Sequence, residues 1–131
     1  MNKILMDTNC YAAYLAGDRE VLQALTEANS TFMSIFVLGE LYAGFKGGTR
    51  EKENRNILRV FLKKPSVITL NASIETAELF GMVKNTLKQA GRPIPINDVW
   101  IAAHALEYGA VLVTRDKHFL NIPGLRLWDN A

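Results

Sequence analysis

Four acidic residues occur where a purely solvated surface role explains them poorly: Asp7, Glu40, Asp98 and Asp116. Like charges that converge raise one another's pKa and oppose folding unless a cation neutralises them. Hard carboxylate oxygens select Mg²⁺ or Mn²⁺ over Zn²⁺, and the sequence shows no cysteine–histidine cluster that would favour zinc. The pattern therefore predicts a carboxylate site for a hard divalent cation.

The strongest of these signals is Asp98, which heads the apolar face of a predicted helix. Asn97 is the predicted N-cap of this helix, and Gly109 is its predicted end. Ile101 and Ala105 follow Asp98 at i+3 and i+7, so they share its face. A carboxylate directed at the core is costly unless it meets a cation or hydrogen-bond donors. Taken alone, Asp98 also fits a first-turn acid that the helix dipole stabilises.

Two of the other acids follow predicted strands. Asp7 comes after residues 3–6 and Asp116 after residues 110–114, and both segments are apolar. Ligands of open parallel sheets bind in the crevice beyond the carboxyl ends of the strands. Each aspartate, considered singly, also fits an Asx-turn or a helix cap. Glu40 lies in a nearly continuous apolar stretch of a helix, and we expect it to point inward.

Short strands alternate with helices along the chain, which predicts an α/β domain with a mainly parallel central β-sheet flanked by helices. The predicted strands are residues 3–6, 31–33, 67–70, 110–114 and a last short one near 125–127. The predicted helices are residues 11–15, 18–28, 35–46, 49–64, a long one begun by Asn71 or Ser73 that reaches 90, and 97–108. There is no repeat or linker, so residues 1–131 are expected to form one domain.

The chain of 131 residues has an ordinary globular composition, with 49% hydrophobic and 21% charged residues. No apolar run approaches the ~20 residues of a membrane helix, and the N-terminus lacks the pattern of a signal peptide. The single cysteine, Cys10, excludes an intramolecular disulfide. We therefore expect a cytoplasmic protein.

The net charge of +2 conceals an uneven distribution. Residues 46–64 contain seven basic and two acidic side chains, which gives a local charge of +5. A basic surface around an acidic pocket suits a polyanionic substrate. The same segment also fits a solvated helix with more lysine and arginine than usual. The candidate anion-binding residues are Arg50, Lys52, Arg55 and Arg59.

The sequence around the four acids contains a series of recognisable motifs. They are Met6-Asp7-Thr8-Asn9, Glu40, Pro95-Ile96-Asn97-Asp98 with Ile101-Ala102-Ala103, and Thr114-Arg115-Asp116 with Phe119. In this order they resemble the PIN-domain ribonucleases, and most of all the VapC toxins of bacterial and archaeal toxin–antitoxin pairs. The resemblance extends nearly the full length of the chain, through Ile122-Pro123-Gly124-Leu125.

This resemblance implies a single PIN-like domain with an acidic metal site. The site would consist of Asp7, Glu40, Asp98 and Asp116, with Thr114 and Asn9 in supporting positions. A Mg²⁺ or Mn²⁺ ion on Asp7 and Asp98 would polarise a phosphodiester and activate a water for in-line attack. Glu40 and Asp116 would hold that water or complete a second metal site, and one ion or two are both compatible with the sequence.

The activity implied by the resemblance is that of an endoribonuclease, which hydrolyses RNA phosphodiester bonds as the toxin of a toxin–antitoxin pair. The basic residues that would contact the RNA are Arg50, Lys52, Arg55 and Arg59. The implied protein partners are a cognate VapB-type antitoxin, whose C-terminal segment covers the acidic groove, and a second copy of the chain in a homodimer.

Two other function classes fit parts of the sequence. A non-catalytic nucleic-acid-binding module would retain the basic segment but would not require all four acids. A phospho-accepting signalling receiver needs an aspartate after its third strand, where this chain has Leu70-Asn71, and a lysine after its fifth. His104 in mid-helix and His118 in a predicted loop are expected to pack in the core or face solvent.

Overall fold

Four short parallel strands form the centre of the fold in residues 2–128, the part of the chain that the structure, a computed structural model, describes. They are β1 (Lys3–Met6), β2 (Ser30–Ser34), β3 (Val67–Leu70) and β4 (Val111–Val113), in the spatial order β3-β2-β1-β4. β1 is thus an inner strand, with Leu5 opposite Phe32 of β2 and Leu112 of β4. The predicted α/β fold with a parallel sheet is confirmed.

In residues 2–128 a pair of α-helices follows each of the first three strands, and a 3₁₀ helix follows the fourth. They are α1 (Thr8–Leu15), α2 (Arg19–Glu27), α3 (Ile35–Lys46), α4 (Glu51–Leu62), α5 (Ile74–Gln89), α6 (Ile96–Tyr108) and a 3₁₀ helix (Lys117–Asn121). The long helices α5 and α6 pack against each other, and α3 contacts both α4 and α6. None of the helices in the described part of the chain combines the length and hydrophobicity needed to cross a membrane.

Three of the four residues of β1 and two of the three residues of β4 are buried, which explains the apolar sequences of these strands. Ile4, Leu5 and Met6 of β1 are 0% exposed, as are Leu112 and Val113 of β4. Because these two strands run parallel, the residues that follow them emerge at the same edge of the sheet. The sheet therefore provides a rigid base for side chains at this edge.

Two helix starts differ from the prediction. Helix α1 begins at Thr8 instead of residue 11, because Asp7 caps it by accepting a hydrogen bond of 2.8 Å from the Cys10 N–H. Helix α4 begins at Glu51 instead of residue 49, with Arg50 at the N-cap position. The earlier start of α1 makes Asp7 both the residue that directly follows β1 and the N-cap of α1.

The predicted N-cap of α6 and the predicted last strand are wrong. Pro95 is the N-cap of α6, and Asn97 lies in its first turn, where its amide donates to the Phe36 carbonyl oxygen at 3.3 Å. The segment 125–127 forms only one isolated parallel bridge, between Leu112 and Leu127. A single bridged pair does not make a strand, although it holds this segment against β4.

Candidate metal centre

All four acids singled out from the sequence line one cavity of about 280 Å³. The lining residues are Asp7, Thr8, Asn9, Glu40, Pro95, Asn97, Asp98, Ile101, Asp116 and His118. The acids come from four separate segments: the end of β1, helix α3, the first turn of α6 and the turn that follows β4. The fold thus brings together carboxylates that are far apart in sequence.

Asp7 is fixed by two hydrogen bonds. The residue is only 7% exposed. Its Oδ1 accepts the Cys10 N–H at 2.8 Å, and its Oδ2 accepts the Thr114 hydroxyl at 2.5 Å. The Thr114 Oγ1 in turn accepts the Asp116 N–H at 3.0 Å. Thr114 therefore links Asp7 to Asp116, and the supporting role that the family resemblance implies for Thr114 stays a prediction.

Asp98 lies in the first turn of α6, with 17% of its side chain exposed. The residues at i+3 and i+7 are buried, as the helical spacing predicted. Burial raises the pKa of the Asp98 carboxyl above its ordinary value, a hydrogen bond from His118 opposes that rise, and the negative charges of Asp116 and Glu40 add to it. The carboxylates are therefore close enough to influence one another's ionisation.

Asp116 and His118 form a compact pair in the turn after β4. The Asp116 Oδ1 caps the 3₁₀ helix by accepting the His118 N–H at 3.0 Å. The His118 Nδ1 lies 3.1 Å from this same oxygen and 3.1 Å from the Asp98 Oδ2. His118 was expected to pack in the core or face solvent, because a 3₁₀ helix that turns the imidazole back toward Asp116 has no periodicity from which this contact could be predicted.

Glu40 differs from its prediction. It is exposed, because the core-facing side of α3 is formed by Val37, Leu38 and Leu41 and Glu40 lies at the edge of that side. Its carboxylate still lines the cavity, where the Thr8 hydroxyl donates to its Oε1. Glu40 is therefore the most accessible of the four carboxylates, and Asn9, also exposed, lies with it at the cavity wall.

The described lining of the cavity has no lysine or arginine that could neutralise the carboxylates. Neither lysine nor arginine is among the ten lining residues, all of which belong to the described part of the chain. Arg115, although next to Asp116 in sequence, bonds to Asp18 at 2.8 Å and to Glu20 at 3.1 Å. This Arg115 contact holds the pKa of Asp18 at about 2. The donor atoms of Asp98, Asp116 and His118 lie within 4.8 Å of one another, so the donor set suits a divalent cation.

A second cavity, of about 540 Å³, lies between α3 and α4, and we call it the basic groove. Its lining residues are Tyr42, Lys52, Arg55, Asn56, Arg59, Leu62 and Lys63. The Arg55 guanidinium stands 4.7 Å from the centre of the Tyr42 ring, and Arg59 donates to the Asn56 side chain. The structure thus brings together three of the four candidate anion-binding residues, while Arg50 lines a neighbouring cavity with Lys52.

Two other polar residues are part of the core. His104 is 0% exposed, with its Nδ1 2.7 Å from the Ser34 Oγ and its Nε2 3.1 Å from the Asn71 carbonyl oxygen. Burial is the main cause that raises the pKa of Cys10 to about 12, with a further rise from Asp7, so this thiol is not an activated nucleophile. Of the two positions expected for His104, the core or the solvent-exposed surface, the structure shows the core.

Comparisons with known proteins identify relatives of this chain. The model of the PIN domain matches residues 4–125. Ribonuclease VapC2 of Rickettsia felis is 34% identical over 111 residues, which cover 82% of this chain and 81% of that protein. Ribonuclease VapC1 of Haemophilus influenzae strain R2866 is 33% identical over 131 residues, which cover 95% of this chain and 96% of that protein.

Solved structures agree with these relatives. A chain in the crystal structure of VapBC2 from Rickettsia felis, bound to a DNA fragment from their promoter, superposes with a TM-score of 0.84, 27% identity and coverage of 96% and 97% of the two chains. A chain in VapBC-1 from nontypeable Haemophilus influenzae gives a TM-score of 0.83 with 30% identity, covering 97% of each chain. The family match, the sequence identity and the shared fold lead to one conclusion: this chain belongs to the PIN-domain family, among its VapC-type members.

Proposed function

We propose that this protein is a Mg²⁺- or Mn²⁺-dependent endoribonuclease that acts as the toxin of a toxin–antitoxin pair. The observation that carries the proposal is the convergence of four carboxylates, from four segments, on one cavity without a lysine or arginine. The names of the relatives support the reaction, since both are ribonucleases. A non-catalytic nucleic-acid-binding module would leave this costly gathering of like charges unexplained.

The metal ligands in this proposal include Asp7 and Asp98. A divalent ion held there would supply the charge that polarises a phosphodiester and lowers the pKa of a bound water. The hydrogen bonds from Cys10 and Thr114 hold the Asp7 carboxylate in one orientation, while each of its oxygens keeps a lone pair for a ligand. This fixed geometry avoids the cost of ordering the carboxylate when the site is used.

The other two acids have environments that suit different tasks. Glu40 is exposed at the cavity wall, so it can hold a water molecule that arrives from solvent. Asp116 is fixed by the Thr114 hydroxyl, which accepts its N–H, and by the turn that it caps. We assign Glu40 to orienting the attacking water and Asp116 to completing the metal site.

The basic groove is the proposed contact surface for the RNA backbone. Lys52, Arg55 and Arg59 line it, and Arg50 extends the positive charge to the next cavity. Tyr42 of this groove and Glu40 of the acidic cavity are two residues apart on α3, so their side chains are directed about 200° apart around the helix. RNA held in the groove would therefore reach the carboxylates by crossing α3.

The proposed protein partner is a VapB-type antitoxin that covers the acidic cavity. The solved relatives from Rickettsia felis and Haemophilus influenzae are VapBC assemblies, which supports this assignment. Assembly into a homodimer stays a prediction from the family resemblance. We place the activity in the cytoplasm, where toxin, antitoxin and RNA substrate can meet.

The test is cleavage of a defined panel of RNAs by partner-free protein with Mg²⁺, with Mn²⁺ or with EDTA. We expect cleavage with either ion and none with EDTA. The Asp98→Asn variant should be inactive, whereas Glu78→Gln, which removes an exposed carboxylate of α5 outside the cavity, should cleave like the wild type. A folded protein that binds the RNAs but cleaves none with any ion would favour the non-catalytic alternative.

A further inference from the structure

We propose that the His118 imidazole is a direct ligand of the divalent ion, beside Asp98 and Asp116, and that it gives the site a preference for Mn²⁺ over Mg²⁺. The inference rests on the metal dependence proposed above and adds a nitrogen donor to a site otherwise built from carboxylates. Its basis is the position of one ring nitrogen between two carboxylate oxygens.

The distances match those between neighbouring ligands of one ion. The His118 Nδ1 lies 3.1 Å from the Asp98 Oδ2 and 3.1 Å from the Asp116 Oδ1. An octahedral ion with ligand bonds of about 2.1 Å places adjacent ligand atoms about 3.0 Å apart. An ion can therefore be held by all three donor atoms with small side-chain movements.

A hydrogen bond alone explains this arrangement less well. One N–H at Nδ1 points along one direction, so it cannot serve both carboxylates with good geometry. If Nδ1 carries its lone pair instead, three electron-rich atoms face one another and require a positive charge between them. A cation at the centre satisfies Asp98, Asp116 and His118 together.

The turn after β4 fixes the imidazole in this position. The Asp116 side chain accepts the His118 backbone N–H at 3.0 Å, so the two proposed metal ligands belong to one hydrogen-bonded turn. Phe119, the next residue, is 1% exposed and anchors the 3₁₀ helix in the core. The imidazole itself is half exposed and stays accessible to an ion from solvent. This combination of a fixed backbone and an accessible ring is suited to a ligand.

The nitrogen donor has a predictable effect on metal choice. Mg²⁺ is a hard ion that binds oxygen ligands and keeps several waters. Mn²⁺ also takes oxygen ligands, but it is a first-row transition metal ion and accepts an imidazole nitrogen more readily than Mg²⁺ does, although it stands at the low-affinity end of its series. Of the two ions proposed for this protein, Mn²⁺ therefore gains more from His118. The chain contains only two histidines, and both ring nitrogens of the other one, His104, are occupied inside the core.

This scarcity of histidines permits a direct spectroscopic test. Mn²⁺ bound to the wild-type protein should show, in pulsed electron paramagnetic resonance, the ¹⁴N coupling of a coordinated imidazole. The coupling should disappear in His118→Gln, and calorimetry should show that this variant binds Mn²⁺ roughly tenfold more weakly or worse, the scale on which disturbing the residues around a metal site lowers affinity. Its affinity for Mg²⁺ should fall less, so the ratio of the two affinities should decrease.

Each other outcome has a definite meaning. Mn²⁺ that binds the wild type without imidazole coupling, and binds His118→Gln with unchanged affinity, would place His118 outside the coordination sphere and reject the inference alone. Absence of binding of either ion to the wild type would reject the metal site itself and with it the proposed function. The wild-type spectrum gives the answer even if the variant folds poorly, and circular dichroism checks that folding.

Discussion

The Thr114 hydroxyl donates a hydrogen bond of 2.5 Å to the Asp7 carboxylate, and this bond joins the residues that directly follow β4 and β1. The two strands are neighbours in the sheet, and the Asp7 N–H also donates to the Val113 carbonyl oxygen at 3.2 Å. A side-chain bond thus continues the backbone pairing beyond the ends of the strands. One consequence is that the shape of the site and the stability of the sheet depend on the same atoms.

Replacing Thr114 by valine should therefore destabilise the protein. The buried Asp7 Oδ2 and the partly buried Asp116 N–H would both lose their hydrogen-bond partner, and a buried unsatisfied group costs about 1–3 kcal/mol. Thr114→Ser keeps the hydroxyl and is the matched control. Urea denaturation of both variants measures the effect, and equal stabilities for valine and serine would show that the hydroxyl contributes nothing.

Asp7→Asn and Asp98→Asn should both abolish cleavage but should differ in stability. Asp7 accepts hydrogen bonds on both oxygens, and an asparagine amide at this position would direct its NH₂ group at one of the donors. We expect Asp7→Asn to lower the free energy of unfolding by about 1–3 kcal/mol. Asp98→Asn should not show this loss, because it removes a carboxylate whose charge is already disfavoured. Activity assays and urea denaturation on the same preparations test both statements, and wild-type cleavage by either variant would remove that residue from the mechanism.

Metal binding should be visible as stabilisation without any substrate. An ion that binds only the folded state stabilises it by about 2.7 kcal/mol at a hundredfold excess over its Kd, which is a melting shift on the order of 5 °C for a domain of this size. Asp98→Asn should melt at or above the wild type in EDTA, since it relieves repulsion, and should lose most of the shift with excess Mn²⁺. Equal shifts in the two proteins would mean that Asp98 is only a first-turn acid.

The basic groove should contribute to RNA binding through its charge. Arg55→Glu with Arg59→Glu should weaken binding and lower the log–log salt slope by about two, one for each lost phosphate contact. Lys84→Glu with Lys88→Glu changes the net charge equally but alters a separate cavity along α5, so it is the control. Binding is best measured on an Asp98→Asn background to prevent cleavage. The same slope in both double variants would assign the effect to overall charge and not to the groove.

Stability should depend on pH through His104. Burial lowers the pKa of His104 below its usual 6.5, although the Asn71 carbonyl and the Glu107 charge oppose this. The unfolded chain therefore takes up a proton on His104 at a higher pH than the folded chain does. The contribution of neutral His104 to the free energy of unfolding is fully present above about pH 6.5. It decreases as the pH falls from there toward the folded pKa, by at most about 1.4 kcal/mol per pH unit. In His104→Gln this component should be absent. Urea denaturation between pH 5 and about pH 7.5 compares the two curves, and parallel curves would contradict the prediction.

The sequence was most informative where a residue type conflicted with its surroundings. Asp98 was predictable because a carboxylate heads an apolar helix face, and Asp7 and Asp116 because they end apolar strands. Glu40 was correctly predicted to lie near the other three acids, since it lines the same cavity, but it was wrongly expected to point inward. The reason is that a continuous apolar stretch does not reveal which side of α3 faces the core. Residue spacing fixes the direction of a side chain only when polar residues mark the other face of the helix.

Local geometry without a periodic pattern was not predictable. Nothing in Arg115-Asp116-Lys117-His118 indicates that a 3₁₀ helix returns the imidazole to Asp98 and Asp116. Asn97 was expected to cap α6 because asparagine favours that position, but the helix begins at the preceding residue and the amide instead holds α3 through the Phe36 carbonyl. In both cases a contact between distant segments decided the structure, and one segment alone does not contain that information.

The pairing of β4 with β1 also determines when the site can exist during synthesis. Ile4 of β1 is opposite Val111 of β4, so β1 can pair with β4 only after more than a hundred further residues have been translated. Such non-local contacts form late in folding. Until β4 and the turn after it have left the ribosome, Asp7 lacks its bond from Thr114 and the cavity lacks Asp116 and His118. We therefore expect a nascent chain to lack the cleavage activity proposed above until almost all of the described segment has been translated.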